Sequence, residues 1–111
     1  MAKALEGVRV LDFTQYLSGP HCTSVLSELG AEIIKIEMPG KGEPERQAMP
    51  KTPKREAYQF LSYNRGKKSI TLNLKTPKGL EIAGSWRPKR MSSWRTSPPV
   101  SWNAWASATK N

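Results

Sequence analysis

Between Val8 and Ala83 the hydrophobic positions change period several times, and each change marks an element. Val8-Arg9-Val10-Leu11-Asp12-Phe13 is a short apolar run rich in β-branched residues, which predicts a buried strand. Gly19-Pro20 breaks the pattern. Pro20 suits the first turn of a helix, where its missing N–H costs nothing, and Cys22, Val25, Leu26 and Leu29 then recur at helical spacing. A helix is expected from about Pro20 to Leu29, with these residues as its apolar face and Gly30 as its C-cap. Glu32 to Glu37 (EIIKIE) follows directly as a second strand. Strand, helix and strand at this length make a βαβ unit with parallel strands and a right-handed crossover.

The pattern then loosens. Met38 to Glu56 holds Pro39, Gly40, Gly42, Pro44, Pro50 and Pro53 among Lys and Arg residues, which predicts a long exposed loop. Ala57 to Tyr63 is too short for its period to separate helix from extended chain. Asn64 to Lys68 is a basic turn, and Ser69 to Leu74 (SITLNL) alternates like a third strand, parallel to the first two and open to solvent at its edge. Thr76-Pro77 is an N-cap followed by proline at the first helical position, so a second helix starts there, with Leu80, Ile82 and Ala83 on its apolar side. These elements predict an α/β fold: a partial parallel sheet, βαβ plus a third strand.

After Gly84 the character changes. Residues 85–111 contain all four tryptophans and no Leu, Ile, Phe, Asp or Glu, and show neither helical nor strand period. The helix begun at Pro77 is cut within about two turns, too short to stand alone. The division is therefore 1–84, a patterned region, and 85–111, an irregular basic Trp-rich tail.

Charge adds one constraint. The formal net charge is +9, and all nine acidic residues precede Gly84. That balance suits an anionic partner, and open parallel sheets bind ligands at the carboxyl ends of their strands. Here those ends lead into Asp12 to Gly19 and Glu37 to Gly42. No G-x-G-x-x-G is present, so the dinucleotide fingerprint is missing. One cysteine excludes an internal disulfide and one histidine excludes a metal cluster of the usual kind, so no metal is expected. No apolar run reaches membrane length or resembles a leader, which points to a cytoplasmic protein. Asp12 closes a buried strand and is read as orienting the next loop. His21 and Cys22 are neighbours on a helix turn, cannot face one another as a dyad, and are read as a partly buried structural pair.

The stretches GVRVLDFTQYLSGPHCTSVLSELGAEIIKIEMPG and LSYNRGKKSITLNLKTPKGLEI together resemble the N-terminus of the class III CoA-transferases, a family that includes formyl-CoA transferase, carnitine CoA-transferases and α-methylacyl-CoA racemase. The resemblance implies a Rossmann-like large domain, interlocked homodimers, and transfer of CoA from an acyl-CoA to a carboxylic acid, with racemisation in a subset. Coenzyme A is then a substrate, and no permanently bound cofactor is implied. The family's CoA contacts fall on Leu17 and Ser18, with Gln15 close by, and on Leu72, Asn73, Leu74 and Lys75. The family usually writes the last four as LDLK, so Asn73 replaces an aspartate. Met38 stands where a basic residue often follows the second strand. Arg65, Lys67, Lys68, Lys75 and Lys78 are expected to cluster beside the strand end and favour phosphate. The family's catalytic aspartate lies beyond residue 111, so no catalytic residue is assigned here.

Two other readings remain: a small basic protein whose tryptophans stack on single-stranded nucleic acid, and a CoA-binding module without catalysis. The tail has a further reading. Shifting the frame by one base, with GC-leaning wobble choices, turns the sequence from Gly84 into KLAAEADVLVENFAPGVMERLGLGYEE. That string continues the interrupted helix, adds an apolar strand, VLV, and then gives ENFAPG, which resembles the family's next CoA-contacting motif. On this reading the tail is frame-shifted.

Overall fold

The computed structural model describes residues 2–86 and the backbone of residues 92–94. Strand β1 is Arg9–Asp12, helix α1 Ser18–Glu28 and strand β2 Glu32–Glu37. A short 3-10 helix over Pro44–Gln47 and helix α2, Tyr58–Tyr63, lie in the segment between β2 and strand β3, Lys68–Thr71. Helix α3 is Pro77–Ser85, and strand β4 is Ser92–Trp94. One sheet has the order β3-β2-β1-β4, and every pairing in it is parallel. The α/β parallel sheet expected from the sequence is therefore present, with β3 at one edge.

Local chemistry explains the boundaries. Gly30 takes φ +106°, its N–H bonds to Ser27 O, and Ala31 N–H bonds to Leu26 O. That is the paired bonding of a glycine-terminated helix, and it aims the chain into β2. At α3, the Thr76 hydroxyl accepts from Gly79 N–H, with Pro77 at the first helical position. Gly79 itself is forced by packing, since a Cβ there would sit 1.9 Å from Asn73 O.

The core lies between α1 and the sheet. Val10, Ala31 and Ile33 are buried together, with Leu5, Val8 and Leu26 packed on them. Burying Val10 and Ile33 stabilises by about 1.5–3 kcal/mol each. The inner face of α1 departs from expectation. Gly19, Pro20, Thr23 and Ser24 are its buried residues, whereas Val25 and Leu29 are exposed. The first turns of the helix lie against the polar end of β1, where small side chains and a hydroxyl are needed more than bulk.

The long segment after β2 is not simply an exposed loop. Glu43 is 2% exposed and Ala57 is buried, and an antiparallel bridge joins Lys51 to Ala57. In the tail, the backbone of Ser92–Trp94 pairs with Val10 to Asp12, a strand that no periodicity in the sequence announced. Of the rest of the predicted irregular tail, Ser85 closes α3 and Trp86 follows it, and residues 87–91 and 95–111 lie outside the described residues.

Candidate functional site

Parallel strands put all their carboxyl ends on one edge of the sheet, and two buried charge networks organise that edge. The first centres on Asp12, fully buried at the end of β1. Its Oδ1 accepts from Thr14 N–H at 2.8 Å and from the Thr14 hydroxyl, and its Oδ2 accepts from the Thr23 hydroxyl at 2.6 Å and Lys67 Nζ at 3.0 Å. Lys67 also donates to Pro20 O and Asn64 Oδ1, both at 2.9 Å. Three oxygen acceptors require three donors on one nitrogen, which only the ammonium supplies. Lys35, 1% exposed on β2, donates to Thr14 O at 3.0 Å.

Burial pushes the Asp12 carboxyl upward, but Lys35, the Thr14 and Thr23 hydrogen bonds and Lys67 together hold it below the usual carboxylate range. Burial lowers the Lys67 ammonium, and Asp12 only partly counters this. With four donors upon it, Asp12 has no lone pair aimed at a reacting group. It folds the β1–α1 loop back over the strand end.

The second network centres on Glu37 at the end of β2. Oε2 accepts from Arg46 Nε at 2.7 Å and Glu43 N–H at 2.8 Å, while Oε1 accepts from Arg46 Nη2 at 2.7 Å and the Ser69 hydroxyl at 2.6 Å. The arginine fork grips both oxygens and also lies over the Phe60 ring, 3.9 Å from its centre. Burial opposes ionisation of Glu37, yet Arg46, Ser69 and the Glu43 amide outweigh it and bring its pKa down to about 2. Glu43, in turn, accepts from Tyr16 N–H at 2.8 Å. One carboxylate thus joins β3, the Met38–Gln47 segment and, through Glu43, the β1–α1 loop.

A pH dependence follows from Glu37. Its folded pKa is depressed from 4.5 to about 2, so its contribution is complete above pH 4.5 and is lost as pH falls through about 2. Discounted for solvent around the partly exposed Arg46, the contribution is about 2 kcal/mol. Urea unfolding at pH 6 and pH 3 should show rather more than half of this loss, and Glu37→Gln should reduce the difference by about 1 kcal/mol. An equal pH slope in both proteins would refute the assignment.

The residues expected to contact ligand flank these networks. Leu17 is the N-cap of α1, 55% exposed, with no side chain capping the helix, and Ser18 is the first helical residue. Gln15 is half-buried in the same loop. Leu72 N–H bonds to Glu37 O at 2.9 Å, continuing the ladder beyond β3. The Asn73 side chain accepts from Lys75 N–H at 3.0 Å, so it closes the turn as an aspartate would. Leu74 is half-buried and Lys75 exposed. The two groups share one edge of the sheet with β2 between them, two strand spacings or about 10 Å.

The basic cluster is only partly as expected. Lys75 and Lys78 follow β3, but Arg65, Lys67 and Lys68 precede or begin it. Lys67 is turned inward, Lys68 pairs with Glu32 and Arg65 with Glu28. His21 is exposed and meets Tyr63 edge-on, and Cys22 is half-buried, so the expected burial holds for the cysteine alone.

The model of CoA-transferase family III matches residues 5–85. The chain belongs to this family. It is 50% identical over 82 residues to the formyl-CoA:oxalate CoA-transferase of Rhodopseudomonas palustris (strain TIE-1), covering 74% of this chain and 19% of that protein. It is 51% identical over 80 residues to the succinyl-CoA:glutarate CoA-transferase of Mus musculus, covering 72% and 18%. Among solved structures, a hypothetical protein of Mycobacterium tuberculosis (Rv3272) superposes with a TM-score of 0.82 at 40% identity, covering 95% of this chain and 28% of that one. A CAIB/BAIF family protein from Brucella suis gives 0.68 at 33% identity, covering 76% and 23%. This family III chain therefore spans about a fifth of the length of the curated relatives it matches.

Sequence reasoning missed the Glu37, Glu43 and Arg46 network of this family III chain. The only local signal was Glu43-Pro44-Glu45-Arg46 after two glycines, which reads as solvated loop until β2 places Glu37 beside it.

Proposed function

We propose that this chain forms the CoA-binding opening of a CoA-transferase, whose full-length form moves CoA from an acyl-CoA to a small carboxylic acid. The observation that carries it is the shared carboxyl edge, where Leu17–Ser18 stand at an uncapped helix start and Leu72–Lys75, beyond β3, end in the exposed Lys75 cation. Gln15 completes the first group. The names of the relatives favour formyl- or succinyl-CoA as donor and oxalate or glutarate as acceptor. Coenzyme A is a substrate on this reading rather than a resident cofactor, the full-length enzyme is an interlocked homodimer, and nucleic acid is not its partner. The single Cys22 fits a cytoplasmic location. Among the described residues, no helix is long and apolar enough to cross a membrane.

Titration calorimetry with coenzyme A should detect binding to the chain. Lys75→Glu should weaken it about tenfold, or 1.4 kcal/mol, within the range of a charge-assisted hydrogen bond. An unchanged dissociation constant would remove Lys75 from the site. Salt-dependent binding of oligonucleotides in place of CoA would favour a nucleic-acid role.

We also propose that residues 85–111 are a frame-shifted reading of the parent gene. Two observations support it. The family match stops at residue 85, where the composition breaks. The backbone nevertheless pairs Ser92–Trp94 with β1, and the first two bases of those three residues' codons become the second and third bases of the VLV codons in the shifted frame.

A further inference from the structure

Tyr16 is the point of strain in the proposed ligand loop. It takes φ +66°, in the left-handed region that glycine favours and that costs an aromatic residue, and the residue is 55% exposed, so its ring is not locked in the core. The backbone is held instead by a hydrogen bond, Tyr16 N–H to Glu43 Oε1 at 2.8 Å. Glu43 comes from a segment 27 residues away and is 2% exposed. Its own position is fixed from behind, because its N–H donates to Glu37 and the Arg46 fork locks Glu37 in place.

Its other oxygen, Oε2, is buried with no hydrogen-bond partner of good geometry among the described residues, although the Glu45 N–H lies near enough to the carboxylate to favour its charge. A buried polar atom left in that state costs stability, so packing alone does not account for the carboxylate. The charged groups around it are Lys35 on β2, Lys67 of the first network, Glu37 and Arg46 of the second, and Glu45. Its partner in the loop is a main-chain N–H, one residue before Leu17 and two before Ser18.

We infer that Glu43 is a positioning residue, which clamps the β1–α1 loop in its left-handed turn at Tyr16 and so presents Leu17 and Ser18 to the CoA ligand. The inference rests on the CoA-binding reading of that loop. Glu43 touches no ligand itself. It acts through the Tyr16 amide, and it makes the first binding loop depend on the segment that follows β2.

The test separates the clamp from the fold and from the ligand. Amide hydrogen exchange at Tyr16 should be about tenfold faster in Glu43→Ala, and CoA should bind about tenfold more weakly to that variant. Glu43→Gln, whose amide oxygen can still accept, should match the wild type in both. Tyr16→Gly placed in the Glu43→Ala background should recover CoA affinity, because glycine adopts the turn without a clamp. A purely structural role would not be rescued at Tyr16. Unchanged Tyr16 exchange in Glu43→Ala, or lost affinity that Tyr16→Gly does not recover, would overturn the inference. Unfolding of both Glu43→Ala and the bulkier Glu43→Met would also overturn it, since the residue would then hold the fold rather than the loop. If no protein in the series binds CoA, the ligand reading falls, and Tyr16 exchange still decides whether the clamp exists.

Discussion

Asp12→Ala should leave the chain largely without a native state. The substitution removes a fully buried carboxylate that receives Thr14, Thr23 and Lys67. It also strands Lys67, whose side chain is 2% exposed, and removes one of the carboxylates near the buried Lys35. Breaking one side of a buried pair costs about 3–5 kcal/mol, because the other charge stays out of water without compensation. A domain of this size has about 5–15 kcal/mol in total, so the loss takes a large part of it. Asp12→Asn keeps an oxygen for the Thr14 hydrogen bonds but not the charge, and should lose nearly as much. Adding Lys67→Met to Asp12→Ala should recover part of the loss, since the stranded cation is gone. Urea titration followed by circular dichroism measures all three. A midpoint for Asp12→Ala within error of wild type would show that the pair is not what holds the strand end.

Restoring one base near the codons for Gly84 and Ser85 should convert an inactive short product into a long open frame with CoA-transfer activity. On the frame-shift proposal the expected contrast is all or none, because the nucleophilic carboxylate belongs to the long frame. Chromatographic assay of new acyl-CoA, with formyl- or succinyl-CoA and oxalate or glutarate, reads the result. The restored string also gives a structural expectation. VLV replaces Ser92-Ser93-Trp94 beside β1 and supplies the apolar, partly β-branched surface a parallel strand needs. The restored protein should therefore resist urea better than the short one. Stop codons soon after the tail in that frame, or transfer by the short chain itself, would sink the proposal.

Much of the fold could be read along the chain because its causes are local. Thr76-Pro77 specifies a helix start by a hydroxyl and a missing N–H within three residues, and the structure has that cap. Gly30 specifies a helix end in the same way, and Glu32–Glu37 is a strand with the expected limits. The break after Gly84 is compositional and needed no coordinates. The loops of the candidate site were also placed correctly on strand ends, because parallel strands leave no choice of edge.

Side-chain partners were decided elsewhere. Lys67 looked like one more cation for phosphate, yet it lies against Asp12, 55 residues away in sequence. Val25 and Leu29 had the period of an inner face, but α1 turns Thr23 and Ser24 inward because its first turns meet a carboxylate. Glu37, Glu43 and Arg46 carry no pattern at all until β2 and β3 align and bring Ser69 within 2.6 Å of Glu37. Period and capping act over a turn or two of backbone, so the residues themselves fix them. A buried charge can stay ionised only beside a partner, and which partner it meets is set by strand register and helix placement once the chain has closed on itself.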